Sequence, residues 1–272
     1  MRDSVDPAEL GPWLADVLAE AGRASLDLVR RADPRRKADG TRVSDADLAS
    51  QDVLLRRLGD AFPDDVLRSE ECDAGPAPEG RATWWIDPLD GTSPFLEGLA
   101  HWGPTVARAV DGTFVAGAFH TPRTGEHWFA ARGAGAYRDG VVLRPPAVVT
   151  AGRDDVLALP SAAHRAFPIS WPGRIRALGS TAAHLAMVAS GGAAAGLVAA
   201  WSPWDIGAGV LLVTEAGRAL VDLSGAPIDP MKHPDQPFLA ASPALVGALV
   251  AALAPGLSPG AAHRGSPRGG PR

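Results

Sequence analysis

A change of sequence pattern at Arg144-Pro145-Pro146 constrains the fold of this 272-residue chain more than any other feature. Before it, residues 103–137 form short apolar runs separated by turn signals, which predicts an antiparallel meander packed on two preceding helices. After it, short apolar runs alternate with helical patterns, which predicts an α/β arrangement. We therefore expect an α+β half at 1–145, an α/β half at 146–256 and a disordered tail at 257–272.

The composition excludes several classes of partner. With 46% hydrophobic residues the chain is globular, and it is long enough for a substantial core. Its net charge of -5 gives no overall attraction to nucleic acid or to an anionic membrane, so we expect neither partner. A single cysteine excludes an internal disulfide, and the first residues lack the order of a signal peptide. We expect a cytoplasmic protein.

The segment Asp87-Pro88-Leu89-Asp90-Gly91-Thr92 places two carboxylates three residues apart after an apolar run. Proline has no N-H for a sheet ladder, so Asp87-Pro88 is predicted to end a strand and to fix where both carboxylates point. The amides of Gly91 and Thr92, at the start of a predicted short helix, suit a phosphate group. Asp-Gly is also typical of an ordinary hairpin turn, so a purely structural role for this segment stays open.

Three further acidic positions are candidates for the same site. Asp47 follows the predicted helix cap Ser44 by three residues, so it is either a capping residue or a site residue. Glu70 and Glu71 follow a strand, and only one of them can face a pocket there, because neighbours on a strand point to opposite sides. Asp205 follows Trp201 and Trp204 on the first turn of a predicted helix, so it is either an acidic residue at a helix N-terminus or a site residue held at depth by the two tryptophans.

Carboxylates gathered in one pocket require cations. At an effective dielectric near 20, two negative charges about 4 Å apart repel each other by roughly 4 kcal/mol. Oxygen ligands without a histidine or cysteine cluster suit Mg²⁺, which commonly takes substrate phosphate oxygens as further ligands. Two such ions can activate a water and stabilise the leaving oxygen of a phosphoryl group. The acidic positions therefore predict a magnesium-dependent phosphate site.

Taken in order, these motifs resemble the inositol monophosphatase family of metal-dependent phosphatases. The resemblance rests on Asp47, on Ser69-Glu70-Glu71, on the Asp87–Thr92 block and on Trp204-Asp205-Ile206-Gly207-Ala208-Gly209. Gly179-Ser180-Thr181-Ala182-Ala183 at the start of a predicted helix is a supporting match. The resemblance implies a layered α-β-α-β-α sandwich of the inositol monophosphatase and fructose-1,6-bisphosphatase type, and a homodimer.

The resemblance also implies a role for each residue. Glu70, Asp87 and the Leu89 carbonyl would hold one Mg²⁺, and Asp87, Asp90 and Asp205 would hold a second. Thr92, paired with Asp47, would position and help to activate the attacking water, with Glu70 holding the metal that carries it. Gly91, Thr92, Ser180 and Thr181 would contact a small phosphorylated substrate, which is hydrolysed to an alcohol and inorganic phosphate.

The substrate is left open by one departure from the family pattern. Members that act on inositol phosphate place a glutamate seven residues before the aspartate of the Trp-Asp motif, and Val198 stands there in this chain. A valine cannot accept hydrogen bonds from ring hydroxyls. Leu99-Ala100-His101-Trp102-Gly103 is similar to the related histidinol-phosphate phosphatases, and a core role for its tryptophan also stays open. Fructose-1,6-bisphosphate and 3'-phosphoadenosine 5'-phosphate also stay open as substrates, as does a non-catalytic role as a binding protein.

Overall fold

The computed structural model describes residues 6–29, 35–36, 42–72 and 80–253, so the predicted disordered tail lies outside the described residues. The helices span Pro7–Leu26 (α1), Asp45–Ala61 (α2), Thr92–Leu96 (α3), Thr181–Ser190 (α4), Pro203–Glu215 (α5) and Val246–Leu253 (α6). The first nine strands span Arg35–Arg36 (β1), Arg42–Val43 (β2), Val66–Ser69 (β3), Thr83–Asp90 (β4), Gly103–Val110 (β5), Thr113–Thr121 (β6), Glu126–Ala131 (β7), Gly135–Arg138 (β8) and Val141–Val142 (β9). The remaining strands span Val156–Ala158 (β10), Arg174–Arg176 (β11), Ala195–Val198 (β12), Ala219–Asp222 (β13) and Phe238–Ala241 (β14).

Two large sheets carry the fold. The first has seven strands in the order β3-β4-β5-β6-β7-β8-β9, parallel only between β3 and β4. The second has five strands in the order β11-β10-β12-β14-β13, parallel on one side of β12 and antiparallel on the other. The predicted meander is confirmed, since β5 to β8 pair consecutively and antiparallel.

The sheets alternate with layers of helix. Helices α1 and α2 pack on one face of the seven-stranded sheet, where Leu14 and Leu54 meet Trp84 and Ile86 in a core without solvent. Helices α4 and α5 fill the space between the two sheets, and α6 packs on the outer face of the five-stranded sheet through Leu249. The order of layers is therefore α-β-α-β-α, as the resemblance implied.

Close packing of α5 against the seven-stranded sheet depends on small residues. A Cβ atom built on Gly207 would lie 2.4 Å from the Ala107 side chain, and one on Gly117 would lie 2.7 Å from the Cα atom of Ala208. Such distances are far below van der Waals contact, so the helix backbone can approach the strands only because these positions are glycine. This approach brings the first turn of α5, with Asp205, beside the end of β4.

The prediction that Asp87-Pro88 ends its strand is wrong. Strand β4 continues to Asp90, with a register shift against β5 between the pairs Asp87–Thr105 and Asp90–Gly103. Proline is tolerated at such an irregularity because the ladder is already interrupted there and no N-H is required. The short helix predicted after Gly91 is confirmed as α3.

Within the part of the chain that the structure describes, no helix has both the length and the apolar character needed to cross a membrane.

Candidate metal and phosphate site

Asp47 is both a helix cap and the partner of Thr92. Its Oδ2 accepts hydrogen bonds from the Ser44 amide at 2.8 Å and the Ser44 hydroxyl at 2.7 Å, which completes a capping box at the start of α2. Its Oδ1 accepts a hydrogen bond from the Thr92 hydroxyl at 3.2 Å. The two functions considered for Asp47 are thus compatible, because each uses a different oxygen of a buried carboxylate.

Hydrogen bonds from neighbouring groups fix the end of β4 beside Thr92. Asp87 is 2% exposed, and its Oδ1 accepts a hydrogen bond from the Leu89 amide at 2.9 Å. The Leu89 carbonyl lies 3.5 Å from the Thr92 hydroxyl. On α2, the buried Ser50 hydroxyl donates to the Pro88 carbonyl at 2.7 Å. The Asp87 carboxylate and the Leu89 carbonyl are therefore presented by a backbone that is fixed on both sides.

Asp90 is bound by the N-terminus of α4, which belongs to the second half of the chain. Its Oδ2 accepts hydrogen bonds from the Ser180 hydroxyl at 2.5 Å and the Ala182 amide at 2.7 Å, and its Oδ1 accepts one from the Thr181 amide at 3.2 Å. The Ser180 oxygen in turn accepts the Ala183 amide at 3.0 Å. Ser180 and Thr181, predicted to contact substrate, are thus placed around Asp90.

Glu70 and Asp205 border the same region from two other elements. The Glu70 amide donates to the Ile86 carbonyl at 3.0 Å, so Glu70 follows β3 directly beside Asp87. Asp205 lies in the first turn of α5, where its Oδ2 accepts the Ser202 amide at 2.6 Å. The neighbouring Trp204 packs against Trp85 of β4, with ring centroids 6.1 Å apart.

Glycine is required at position 91, between Asp90 and Thr92. Gly91 has a φ of 94°, in the left-handed region that disfavours side chains. A Cβ atom there would lie 3.0 Å from Pro94, 3.1 Å from Trp102 and 3.2 Å from Ser180. The backbone at Gly91 therefore passes through a space that a larger residue would fill.

The carboxylates raise each other's affinity for protons. Burial is the main cause that raises the pKa of Asp87 well above its ordinary value, and the negative charges of Glu70, Asp90 and Asp205 raise it further. Burial also raises the pKa of Asp90 to about 6, although hydrogen bonds from Ser180 and two amides oppose the change. The pKa of Asp47 is raised as well, chiefly by burial. The five carboxylates thus share one electrostatic environment.

This donor set fits a hard cation, although the cage is not preformed. Within the described residues, no three acidic, histidine or cysteine side chains are arranged as a ready metal cage. Asp90 and Asp205 instead direct oxygens to Ser180 and to the Ser202 amide. The groups around the site are carboxylates and a backbone carbonyl, which are the ligands that Mg²⁺ prefers.

Comparison with known proteins decides the family. A profile of the inositol monophosphatase family matches residues 14–255. The chain belongs to the inositol monophosphatase family. This is a family of metal-dependent phosphomonoesterases.

Named members of the family differ in the substrate that their names give. A histidinol-phosphatase of Chlorobaculum parvum is 33% identical over 223 residues, which cover 78% of this chain and 85% of that protein. An inositol-1-monophosphatase of Mesorhizobium japonicum is 33% identical over 204 residues, which cover 70% and 75%. The structure of the extragenic suppressor protein suhB of Bartonella henselae matches with a TM-score of 0.83 at 26% identity, covering 92% of this chain and 100% of that one. The predicted family and fold are confirmed.

In this inositol monophosphatase family member, Val198 is part of the core. It is 3% exposed on β12, pairs in register with Phe238 and belongs to the apolar cluster between the two sheets. The Val198 side chain therefore provides no polar atom for binding a substrate.

Sequence reasoning missed two groups that shape the site. Ser50 lies three residues after Asp47 on α2 and holds the Pro88 carbonyl. The Ala182 amide binds Asp90. The helical spacing of Ser50 from Asp47 was an available signal, since residues three apart share a helix face. The Ala182 amide could not be identified from the sequence, because every residue except proline has a backbone amide.

Proposed function

We propose that this protein is a Mg²⁺-dependent phosphomonoesterase that hydrolyses a small polar phosphate ester to an alcohol and inorganic phosphate. The observation that carries the proposal is the Asp87 carboxylate, buried among the charges of Glu70, Asp90 and Asp205 beside the Asp47–Thr92 hydrogen bond. Such a concentration of negative charge is costly without cations and becomes useful with them.

The residues divide into two ligand sets. Glu70, Asp87 and the Leu89 carbonyl would hold one ion, and Asp87, Asp90 and Asp205 would hold a second. When bound, Mg²⁺ supplies positive charge that acidifies a water and neutralises charge on the phosphoryl and leaving oxygens.

Thr92 and Asp47 handle the proton. Because the Thr92 hydroxyl donates to Asp47, its oxygen lone pairs are available to accept a hydrogen from the attacking water. As the water attacks phosphorus, the P–O bond to the alcohol breaks, the proton of the water passes to Thr92 and the hydroxyl proton of Thr92 moves to Asp47. The leaving oxygen takes up a proton from solvent water, which gives the alcohol, and Asp47 returns its proton to solvent. The amides of Gly91 and Thr92 would bind phosphate oxygens, since they start α3.

Histidinol phosphate is the substrate we favour over inositol phosphate. Val198 occupies the position at which inositol-specific members have the glutamate that binds ring hydroxyls. Its side chain is buried and has no polar atom that could bind them. A relative named histidinol-phosphatase covers more of the chain than the one named inositol-1-monophosphatase. The Val198 observation concerns the leaving alcohol, and the phosphate chemistry is common to the two substrates.

A panel of phosphate esters tests the proposal. Phosphate release is measured with Mg²⁺ from histidinol phosphate, inositol-1-phosphate, fructose-1,6-bisphosphate, 3'-phosphoadenosine 5'-phosphate and an aryl phosphate. We expect kcat/KM for histidinol phosphate to exceed that for inositol-1-phosphate by about tenfold or more, the scale set by a missing hydrogen-bond partner. Equal values would reject the substrate assignment. No release from any ester, with Mg²⁺ binding intact, would favour a non-catalytic binding protein.

A further inference from the structure

A cavity of about 760 Å³ lies on the far side of the seven-stranded sheet from α5 and is separate from the metal and phosphate site. It is lined on one side by the N-terminal half of α1 and on the other by residues of β6, β7 and β8. This volume is within the range of small-molecule sites. None of the five acidic residues assigned to the phosphatase reaction lines it.

The cavity borders a face of α1 that carries small residues. Ala8, Gly11 and Ala15 lie on this face, since residues three and four apart are neighbours on a helix surface. The larger Leu10, Leu14 and Val17 lie on the neighbouring face and are buried against the sheet. Small side chains fill less of the space between helix and sheet, so a cavity remains.

The cavity is lined mainly by apolar and aromatic side chains, and its carboxyl and imidazole side chains are Asp6, Asp139 and His127. Phe129 and Tyr137 line it, with ring centroids 6.4 Å apart, and the carboxylates of Asp6 and Asp139 lie at its exposed rim. Pro12 has no N-H, so the Ala8 carbonyl lacks the helical bond that residue 12 would otherwise supply.

The charge at the rim is negative. Among the described residues that line the cavity there is no lysine or arginine. Arg138 approaches Asp139 at 3.7 Å, but it also pairs with Glu126 and lies over the Trp128 ring at 5.1 Å. Asp6 caps α1 through the Ala8 amide and offsets the positive end of the helix dipole. A phosphate ester is therefore disfavoured here.

We propose that this cavity is a second binding site, which takes a small arylalkylammonium ion, an aromatic ring that carries a protonated alkylamine side chain. The ring packs on Phe129 and Tyr137, and the ammonium group donates to Asp6, Asp139 and the Ala8 carbonyl. The site is independent of the proposed phosphatase reaction, because it shares no residue with it.

Tryptamine and indole-3-acetate are matched probes for the proposal, since they share an indole ring and differ in the sign of the side-chain charge. Binding of each to the full chain is measured by calorimetry and by protein-observed NMR. We expect tryptamine to bind at least about tenfold more tightly than indole-3-acetate. Equal affinities, or no saturable binding of tryptamine, would overturn the proposal.

Charge-neutral variants locate the binding. Asp139 has a φ of 51°, which asparagine tolerates, and asparagine at position 6 still caps a helix. We therefore expect the double variant Asp6→Asn and Asp139→Asn to fold and to lose the preference for tryptamine. Asp111→Asn is the matched control, because Asp111 is also an exposed residue with positive φ before a glycine. A preference that survives in the double variant, or is lost in the control, would contradict the site.

Two further variants test the cavity itself. Ala15→Phe places a ring inside it and is expected to weaken binding of both probes by about tenfold or more. Unchanged binding in that variant would place the probes elsewhere. A chain lacking residues 2–5 tests whether the segment before Asp6 is the natural occupant. If tryptamine binds only after that deletion, the occupant is the chain itself and the proposal fails.

Discussion

At the scale of single residues, the site is built from side chains that each satisfy two demands. Asp47 caps α2 with one oxygen and receives Thr92 with the other. Ser180 caps α4 by accepting the Ala183 amide and donates to Asp90. The same bonds that hold the helices in place therefore orient the groups that would bind metal and water.

Replacing Ser180 should weaken metal binding. Ser180→Ala removes the 2.5 Å hydrogen bond that orients Asp90, and loss of such an outer contact typically lowers metal affinity by about 10- to 100-fold. Mg²⁺ affinity is measured by calorimetry on folded protein. Ser190→Ala is the control, because Ser190 ends the same helix and donates to the Met187 carbonyl. Equal Mg²⁺ affinities for both variants and the parent would show that Ser180 does not position Asp90.

Replacing Thr92 should lower kcat and leave substrate binding largely intact. Thr92→Val keeps the shape of the side chain but removes the hydroxyl that donates to Asp47, and proton transfer by a positioned group contributes about 10²- to 10⁴-fold. Thr92→Ser keeps the hydroxyl and is expected to retain most activity. The measurement is kcat and KM for phosphate release. A valine variant with the kcat of the parent would exclude the proton path.

At the scale of secondary structure, glycines in α5 determine how closely Asp205 approaches β4. Gly207 lies against Ala107 and Phe114, whereas Gly247 in α6 has no atom within 4 Å of a built Cβ. The two helical glycines therefore have opposite surroundings.

Alanine substitutions at these two glycines should have different effects on the free energy of unfolding. Gly207→Ala forces α5 away from the sheet and is expected to cost about 1–3 kcal/mol of unfolding free energy, as overpacking does. Gly247→Ala adds a methyl group in open space and is expected to leave stability unchanged or raise it by up to about 1 kcal/mol. Denaturant unfolding measures both. Similar effects of the two substitutions would contradict the packing described for α5.

Sequence reasoning was strongest for elements and weakest for their detailed ends. The meander followed from alternating runs and turn residues, and the helix after Ser44 from its cap. The predicted end of β4 was wrong, because the strand continues through Pro88 at a register shift against β5. The three donors to Asp90 arrive from α4, some 90 residues along the chain, and such a contact depends on how the two sheets pack.

At the scale of the whole molecule, the acidic site opposes folding and metal binding should compensate. The pKa of Asp90 is raised to about 6 from the ordinary 3.8, and those of Asp47 and Asp87 are also raised. At these three carboxylates the folded chain without metal thus binds more protons than the unfolded chain between about pH 4 and 6. The stability that these carboxylates contribute is full below their unfolded pKa and is lost as pH rises through their folded pKa.

Thermal unfolding should report this balance. In EDTA, we expect the acidic site to lower Tm as pH rises from 5 to 7. Mg²⁺ should raise Tm more at pH 7 than at pH 5, because the carboxylate ligands are ionised at pH 7. Asp90→Asn should reduce both effects. If the Mg²⁺ shift is equal at the two pH values, the raised carboxylates do not form the metal site.

Phosphate release with and without chelator tests the central claim most directly. The full chain is assayed with histidinol phosphate and an aryl phosphate in EDTA, and Mg²⁺ is then added back in excess. A metal-dependent phosphomonoesterase should release no phosphate in EDTA and regain its full rate with Mg²⁺. Release that continues unchanged in EDTA would contradict the assignment of Glu70, Asp87, Asp90 and Asp205 as the groups that make this site a phosphatase.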